Sequence, residues 1–268
     1  MRFTKMHGLG NDYLYVKAEA LPEDAAALSR RWSDRHRGVG SDGIIWILPP
    51  VTPGADACMR IFNADGSEAK MCGNGIRCVG AYLWERGFVP ATQTELLIDT
   101  LSGAKRLSLE VDGDGHVRQV TVDMGRARVS PAIAIGPAGS VSAVPVDVGN
   151  PHAVVFVDDA DAAPVATLGP VLEHDPAFPG GVNVEFVSVA GPRELRMRVW
   201  ERGSGITMAC GTGASASVAA AVARDLCDAG EPVCVHLDGG DLHISVDEGG
   251  YVLMRGPVAF VCDGETCD

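Results

Sequence analysis

Two stretches decide how this chain reads: EAKMCGNGIRC at residues 68–78 and ITMACGTGASAS at residues 206–217. In each, a cysteine, Cys72 or Cys210, follows an apolar residue, precedes Gly-x-Gly and opens a helical run. A free cysteine is ordinarily a small buried hydrophobe. Cys58, Cys78, Cys227, Cys234, Cys262 and Cys267 take that reading, the last two as plain surface thiols if exposed. A thiol at a helix N-terminus differs, because the positive pole and outward-facing amides favour the thiolate, with a pKa expected below about 8.5. The flanking glycines leave backbone amides able to cradle an anion. One such doorway could be accidental, but two are hard to explain structurally.

The two cysteine helices fall in different halves of the chain, each with strands before and after it. That pattern is the signature of an internal duplication. It predicts an α+β (mixed α/β) fold of two pseudo-symmetric domains, each a bent, mostly antiparallel sheet around a central helix. The second helix, GASASVAAAVARDL, is small or apolar around its whole circumference, as a buried central helix requires. Strands are expected at 13–17, 44–48, 57–63, 105–111, 117–123, 153–158, 183–189, 194–201, 242–247 and 258–262. A further helix is expected at 22–36, with Pro22 in its first turn and Leu21, Ala25, Leu28 and Trp32 in one stripe. SPAIAIGPAGS at 130–140 reads as a loop or domain junction.

Charge and composition exclude several classes. A net charge of −13 opposes binding to nucleic acid or an anionic membrane, which want a basic face. No run of about 18 apolar residues is present, so no membrane-spanning helix is expected. The opening MRFTKMHGLGNDYLYV lacks an apolar signal region, which points to the cytoplasm and reduced thiols. The eight cysteines form no C-x-x-C pair and no familiar zinc spacing, so neither a metal nor a disulfide framework is expected.

Two glycine motifs suggest a dinucleotide site. GVGSDG at 38–43 follows a charged helix and precedes a strand, the wrong context, and reads as a turn. GTGASA at 211–216 opens a helix, and the later strand PVCVHLD ends at Asp238, so a dinucleotide-binding unit is one alternative. Against it, the preceding segment ERGSGITMAC is polar where a continuously apolar strand belongs.

A matched pair of thiols suits inversion of a stereocentre. A substrate α-carboxylate between the helix starts would be held by amides of Gly73, Asn74, Gly211 and Thr212. One thiolate removes the α-hydrogen, and the other thiol supplies a hydrogen from the opposite face. Helix poles aimed at the carboxylate lower the barrier to a carbanion, so the reaction needs no cofactor.

FTKMHGLGNDY, GVGSDG, FNADGSEAKMCGNGIRC, VGNPHAVVF, VNVEFV, RVWERGSGITMACGTGASAS and the GET near the C-terminus together resemble diaminopimelate epimerase. The resemblance implies a cofactor-independent enzyme interconverting LL- and meso-diaminopimelate, in lysine and peptidoglycan precursor synthesis, commonly as a homodimer. Its final strand crosses back to the first domain, giving 1–115 with 261–268, and 116–260. Cys72 and Cys210 become the acid/base pair, while His152 and Glu201 lie near the α-ammonium and assist proton transfer. Asn11, Asn63, Asn150, Asn183 and Arg202 hold the distal carboxylate and ammonium of the amino-acid substrate. Ser215 stands where relatives often carry another cysteine. A racemase of another amino acid, proline- or histidine-type, is the alternative with the same cysteines. Against the proline type, Gly-Asn-Gly follows Cys72 where that family typically has Gly-His-Gly.

Overall fold

The computed structural model describes residues 1–267, and these fall into two units. One comprises Met1–Val122 together with the chain from Gly256 onward; the other is Asp123–Arg255. The sequence reading carried the returning strand to residue 268, which lies outside the described residues.

The first unit contains β1 (Arg2–Gly8), β2 (Asn11–Lys17), α1 (Ala25–Ser33), β3 (Gly43–Leu48), β4 (Ala57–Asn63), β5 (Glu68–Ala69), α2 (Gly73–Glu85), β6 (Glu95–Asp99), β7 (Lys105–Val111) and most of β8 (Val117–Arg126). Here β1–β2 are antiparallel, β2–β3 parallel and β3–β4 antiparallel. β4 then pairs antiparallel with β5 and parallel with β6, and β6, β7 and β8 form an antiparallel meander.

The second unit begins with β9 (Arg128–Val129) and β10 (Ile133–Ile135), both antiparallel to β11 (Val141–Asp147). Then come β12 (Pro151–Phe156), α3 (Val165–Glu173), β13 (Asn183–Gly191), β14 (Glu194–Glu201), β15 (Gly205–Ile206), α4 (Gly211–Ala223), β16 (Val233–Leu237), β17 (Gly240–Val246) and β18 (Tyr251–Pro257). Its pairings repeat those of the first unit in order. β11–β12 are antiparallel, β12–β13 parallel, β13–β14 antiparallel, β14–β16 parallel and β16–β17–β18 antiparallel. The duplication expected from the two cysteine stretches is therefore a repeat of the whole topology, each parallel pair bridged by a helix. β19 (Ala259–Glu265) completes the first unit by pairing antiparallel with β1.

Each unit packs one helix outside its sheet and one against the other face. In the first, Ala25, Leu28 and Trp32 of α1 join Leu14, Val16, Ile44 and Trp46 of β2 and β3. In the second, Val165 and Leu172 of α3 join Ala153, Val155, Val184 and Phe186 of β12 and β13. β3 and β13 are buried on both faces over most of their length, as parallel-paired strands in a covered sheet are. α4 is buried almost throughout, as its small-residue composition requires.

Three expectations need correction. The helix at 22–36 is shorter, because the Asp34 side chain accepts from the amides of His36 and Arg37 and turns the chain out after Ser33. α3 was not foreseen: it contains Pro170, and its Gly169 lies where an added Cβ would meet Trp200 at 2.6 Å. The 130–140 segment is not wholly loop, since Ile133–Ile135 form β10.

Candidate active site

The two cysteines occupy the same place in their units. Each is the N-cap of a helix of 13 residues, Cys72 of α2 and Cys210 of α4. Both take extended backbone angles, φ −135° and ψ 118° at Cys72, φ −123° and ψ 107° at Cys210. Each sulfur accepts the amide of the third helical residue, Gly75 N at 3.4 Å and Gly213 N at 3.3 Å. A thiol thus takes the role usually filled by Ser, Asp or Asn. The first helical amides, at Gly73, Asn74, Gly211 and Thr212, face the N-terminal end of each helix, the end whose free amides and positive pole suit an anion.

In the first unit the tight β1–β2 turn, with Leu9 at φ 56° and Gly10 at φ 83°, delivers Asn11 to Cys72. The Cys72 thiol lies 3.4 Å from Asn11 Oδ1, and Asn11 Nδ2 donates to Asp42 Oδ2 at 2.7 Å. Asp42 thereby fixes which end of the amide faces the sulfur. GVGSDG is thus no nucleotide loop. Its Gly38 passes so close to the end of α1 that an added Cβ would meet Arg31 O at 2.4 Å, and its Asp42 orients Asn11. Asn63 accepts from Tyr13 Oη at 3.3 Å and donates to Ser67 Oγ at 3.1 Å. Under the first turn of α2 lies the fully buried Arg77. Its guanidinium donates to Gly73 O at 3.2 Å, Asn74 Oδ1 at 3.0 Å and Pro257 O at 3.3 Å. Burial lowers its pKa, and the nearby Cys78, Cys72 and Tyr15 act the other way. Arginine keeps its charge even so.

In the second unit a relay of side chains ends at Cys210. Glu185 Oε1 lies 2.7 Å from His152 Nδ1, both residues fully buried. His152 Nε2 is 3.1 Å from Asn150 Oδ1, Asn150 Nδ2 is 3.4 Å from Thr212 Oγ1, and Thr212 Oγ1 is 3.4 Å from the Cys210 sulfur. Glu201 accepts from the Thr207 hydroxyl and from the Cys210 thiol. Burial is the largest cause raising the Glu201 pKa, opposed by those two hydrogen bonds. Cys210 is pushed well above the ordinary thiol range, first by burial, then by Glu201 and Glu185. The depressed thiol pKa expected from the helix pole is therefore not what the second unit presents. The Gly213 amide and Thr212 hydroxyl lower it too little to offset a dry site with two carboxylates.

Asn183 and Arg202 stand apart from this relay. Asn183 Nδ2 donates to Pro151 O at 3.1 Å, and its Oδ1 accepts the Arg202 amide at 2.9 Å. The exposed Arg202 guanidinium donates to Gly180 O at 3.1 Å and Gly181 O at 3.4 Å. Sequence reasoning did not single out Arg77, Glu185 or Asp42. Glu185 left a signal, a lone charge inside the apolar strand VNVEFV.

A profile of the family described as diaminopimelate epimerase matches residues 3–130 and 144–261. The chain belongs to the diaminopimelate epimerase family. Among family members, the diaminopimelate epimerase of Pelotomaculum thermopropionicum is 49% identical over 282 residues, covering 99% of this chain and 98% of that one. The Bacillus subtilis enzyme of the same name is 45% identical over 282 residues, covering 98% of this chain and 97% of its own. The fold reaches further than the family. A hydroxyproline epimerase from Agrobacterium vitis superposes with a TM-score of 0.78 at 19% identity, covering 98% of this chain and 91% of that chain. A PhzF-family phenazine biosynthesis protein of Bacillus anthracis gives 0.77 at 17%, covering 100% and 99%.

Proposed function

We propose that the chain interconverts LL- and meso-diaminopimelate, with Cys72 and Cys210 as the acid/base pair acting on one α-carbon. Membership of the family supports the substrate. The observation that carries the mechanism is the repeated sulfur N-cap, the same group in the same geometry in both halves of a duplicated fold. In one direction a thiolate takes the α-proton, and the C–H electron pair stays on carbon, spread into the α-carboxylate. The opposing thiol then gives its proton to the other face, so thiol and thiolate exchange roles. The amides of Gly73, Asn74, Gly211 and Thr212 stabilise the charge gathering on the carboxylate.

For Cys210 to act as base its proton must leave first. Glu201, already accepting from that thiol and with its pKa raised, suits temporary proton uptake. Glu185 and His152 hold Asn150 and Thr212 in place around the sulfur. In the same reading His152 and Glu201 serve the α-ammonium end, and Asn11, Asn63, Asn150, Asn183 and Arg202 serve the distal amino-acid end. Arg202 would exchange its two carbonyl partners for the distal carboxylate, a stronger charge-assisted acceptor. We further propose a cytoplasmic homodimer, checked by fractionation and by light scattering of the eluted protein.

Proton NMR of the reduced enzyme with LL-diaminopimelate in D₂O tests the proposal. The α-proton signal should disappear as the meso isomer forms. Cys72→Ala and Cys210→Ala should each lower the exchange rate by about 10³-fold, within the usual range for loss of a general acid or base. No exchange in the unaltered enzyme would overturn the substrate; undiminished exchange in both variants would overturn the thiol pair.

A further inference from the structure

The outward face of the β16–β17 hairpin carries a cluster that the epimerisation does not use. Ligand atoms of Cys234, His236 and Asp241 all lie within 4.8 Å of one another, the one such group of His, Cys, Asp or Glu among the described residues. Strand alternation places them together. Val233, Val235 and Leu237 of β16 are buried, so Cys234 and His236 share the opposite face. Leu242 and Ile244 of β17 are buried likewise, leaving Asp241 and His243 on that outer face. The register sets His236 across from Asp241 and Cys234 across from His243. On the other side of β16, Glu194 of β14 is registered with Cys234.

We propose that this face is a binding site for a divalent transition-metal ion of zinc type, held by Cys234 Sγ, His236 Nδ1 and an Asp241 carboxylate oxygen. Thiolate, imidazole and carboxylate are the donor set such ions select. A tetrahedral ion with bonds of about 2.3 Å to sulfur and about 2.0 Å to nitrogen spaces the two donors by roughly 3.5 Å. Cys234 Sγ lies 3.9 Å from His236 Nδ1, and Asp241 Oδ1 lies 2.7 Å from the same nitrogen. Small side-chain rotations reconcile both separations with one ion. Binding releases two protons to solvent, that of the thiol and that shared by Nδ1 and Asp241, and the ion takes their place.

The other ring nitrogen is already oriented for this role. His236 Nε2 lies 2.9 Å from Glu194 Oε1, the carboxylate–imidazole arrangement that fixes a metal-bound histidine. His243, across from Cys234, or water takes the fourth position. Arg196, registered with His236, does not neutralise the site, because its guanidinium is engaged with Asp161 at 2.6 Å and with Asp238. An imidazole held between two carboxylates accounts for Asp241 and Glu194 without any metal. It gives no role to the thiol 3.9 Å from the same nitrogen. The familiar zinc spacings missed this set because its donors recur at the two-residue period of strands, Cys-x-His on β16 and Asp-x-His on β17.

Titration of the full-length, phosphine-reduced protein with Co²⁺ tests the site. A near-ultraviolet thiolate-to-cobalt band should saturate at one equivalent, and one equivalent of that band should be lost in both Cys234→Ala and His236→Ala. Asp241→Asn should weaken Co²⁺ binding by about 10-fold or more, the scale of losing a ligand-shell group. Metal-free thermal melting of each variant reports whether it folds. Absence of the band in the unaltered protein, or an unchanged band in either alanine variant that folds, overturns the proposal.

Discussion

Cys72 and Cys210 cap their helices in the same way, yet their surroundings carry opposite charge. Beneath Cys72 the buried charge is the guanidinium of Arg77, five positions into the helix run. The corresponding position after Cys210 is Ser215, whose hydroxyl donates to Gly211 O at 2.9 Å much as Arg77 Nη1 donates to Gly73 O at 3.2 Å. Where the first unit has a cation, the second supplies two carboxylates, the buried Glu185 and the half-buried Glu201, both acting to keep Cys210 protonated. The duplicated backbone thus sets where the sulfurs sit, and the residues behind them set the sign of the nearby charge. The proposed two-base reaction needs one thiol and one thiolate at a time, and the carboxylates beside Cys210 favour the thiol form there.

The largest expected effect comes from removing the cation. Arg77→Met fits the volume and leaves the cap, but takes away the positive charge near Cys72. We expect kcat/KM at neutral pH to fall by about 10²-fold, because the charge gathering at the start of α2 in the proposed reaction loses a nearby cation. The loss should sit in kcat rather than in KM, since the cation acts on charge that develops in the transition state. A loss that tracks a lowered melting temperature would instead assign Arg77 a purely structural role. Melting temperature separates the two, because replacing a buried charge by an apolar side chain of similar size can be neutral for stability.

The third helical residue offers a smaller and more local contrast. A Cβ on Gly213 would lie 2.8 Å from Glu185 Oε1 and 3.3 Å from Cys210 Cβ. Glu185 is fully buried and held by His152, so it has nowhere to go. A Cβ on Gly75 would meet Ile45 Cδ1 at 2.5 Å and Met59 Cε at 3.1 Å, the free ends of side chains. Both alanine variants should lose about 1–3 kcal/mol of stability from overpacking, measured by denaturant unfolding. Only Gly213→Ala should also lower kcat strongly, by displacing the Glu185–His152 pair. Equal losses of kcat in the two would sever that pair from the chemistry.

The difference between the two caps marks where sequence reasoning stops. The helix starts, the duplication and the buried character of α4 were legible because each is local: a spacing, a repeat, a composition. Asn11, Asn150, His152 and Glu201 were reached by resemblance and Thr212 from its amide at a helix start, and within each unit they lie beside the sulfurs or the groups that touch them. What could not be read was the sign of the field. Arg77 looks like one arginine on a helix until burial shows it under the cap. Glu185 lies on a strand paired in parallel with the strand of His152, and only that register brings carboxylate to imidazole. α3 was hidden by Pro170, which local propensity rejects and packing against Trp200 accepts.

The smallest effect sharpens the comparison most directly, because it reads one thiol. Glu201 accepts a hydrogen bond from the Cys210 thiol, and its negative charge raises the thiol pKa. Replacing it by glutamine keeps a hydrogen-bonding group and removes the charge, so ionising Cys210 becomes easier. The alkylation rate of the Cys210 peptide, followed by mass spectrometry against pH, should rise at lower pH in Glu201→Gln than in the unaltered enzyme. Cys78 supplies an internal reference: fully buried in the first unit, its thiol is pushed up to about 11 mainly by burial. Its profile should not move, because the groups acting on it are Tyr15, Arg77, Cys72 and the Ala259 backbone rather than Glu201. A shift shared by Cys78 would report loosening of the fold, and an unmoved Cys210 would remove Glu201 from the control of that proton.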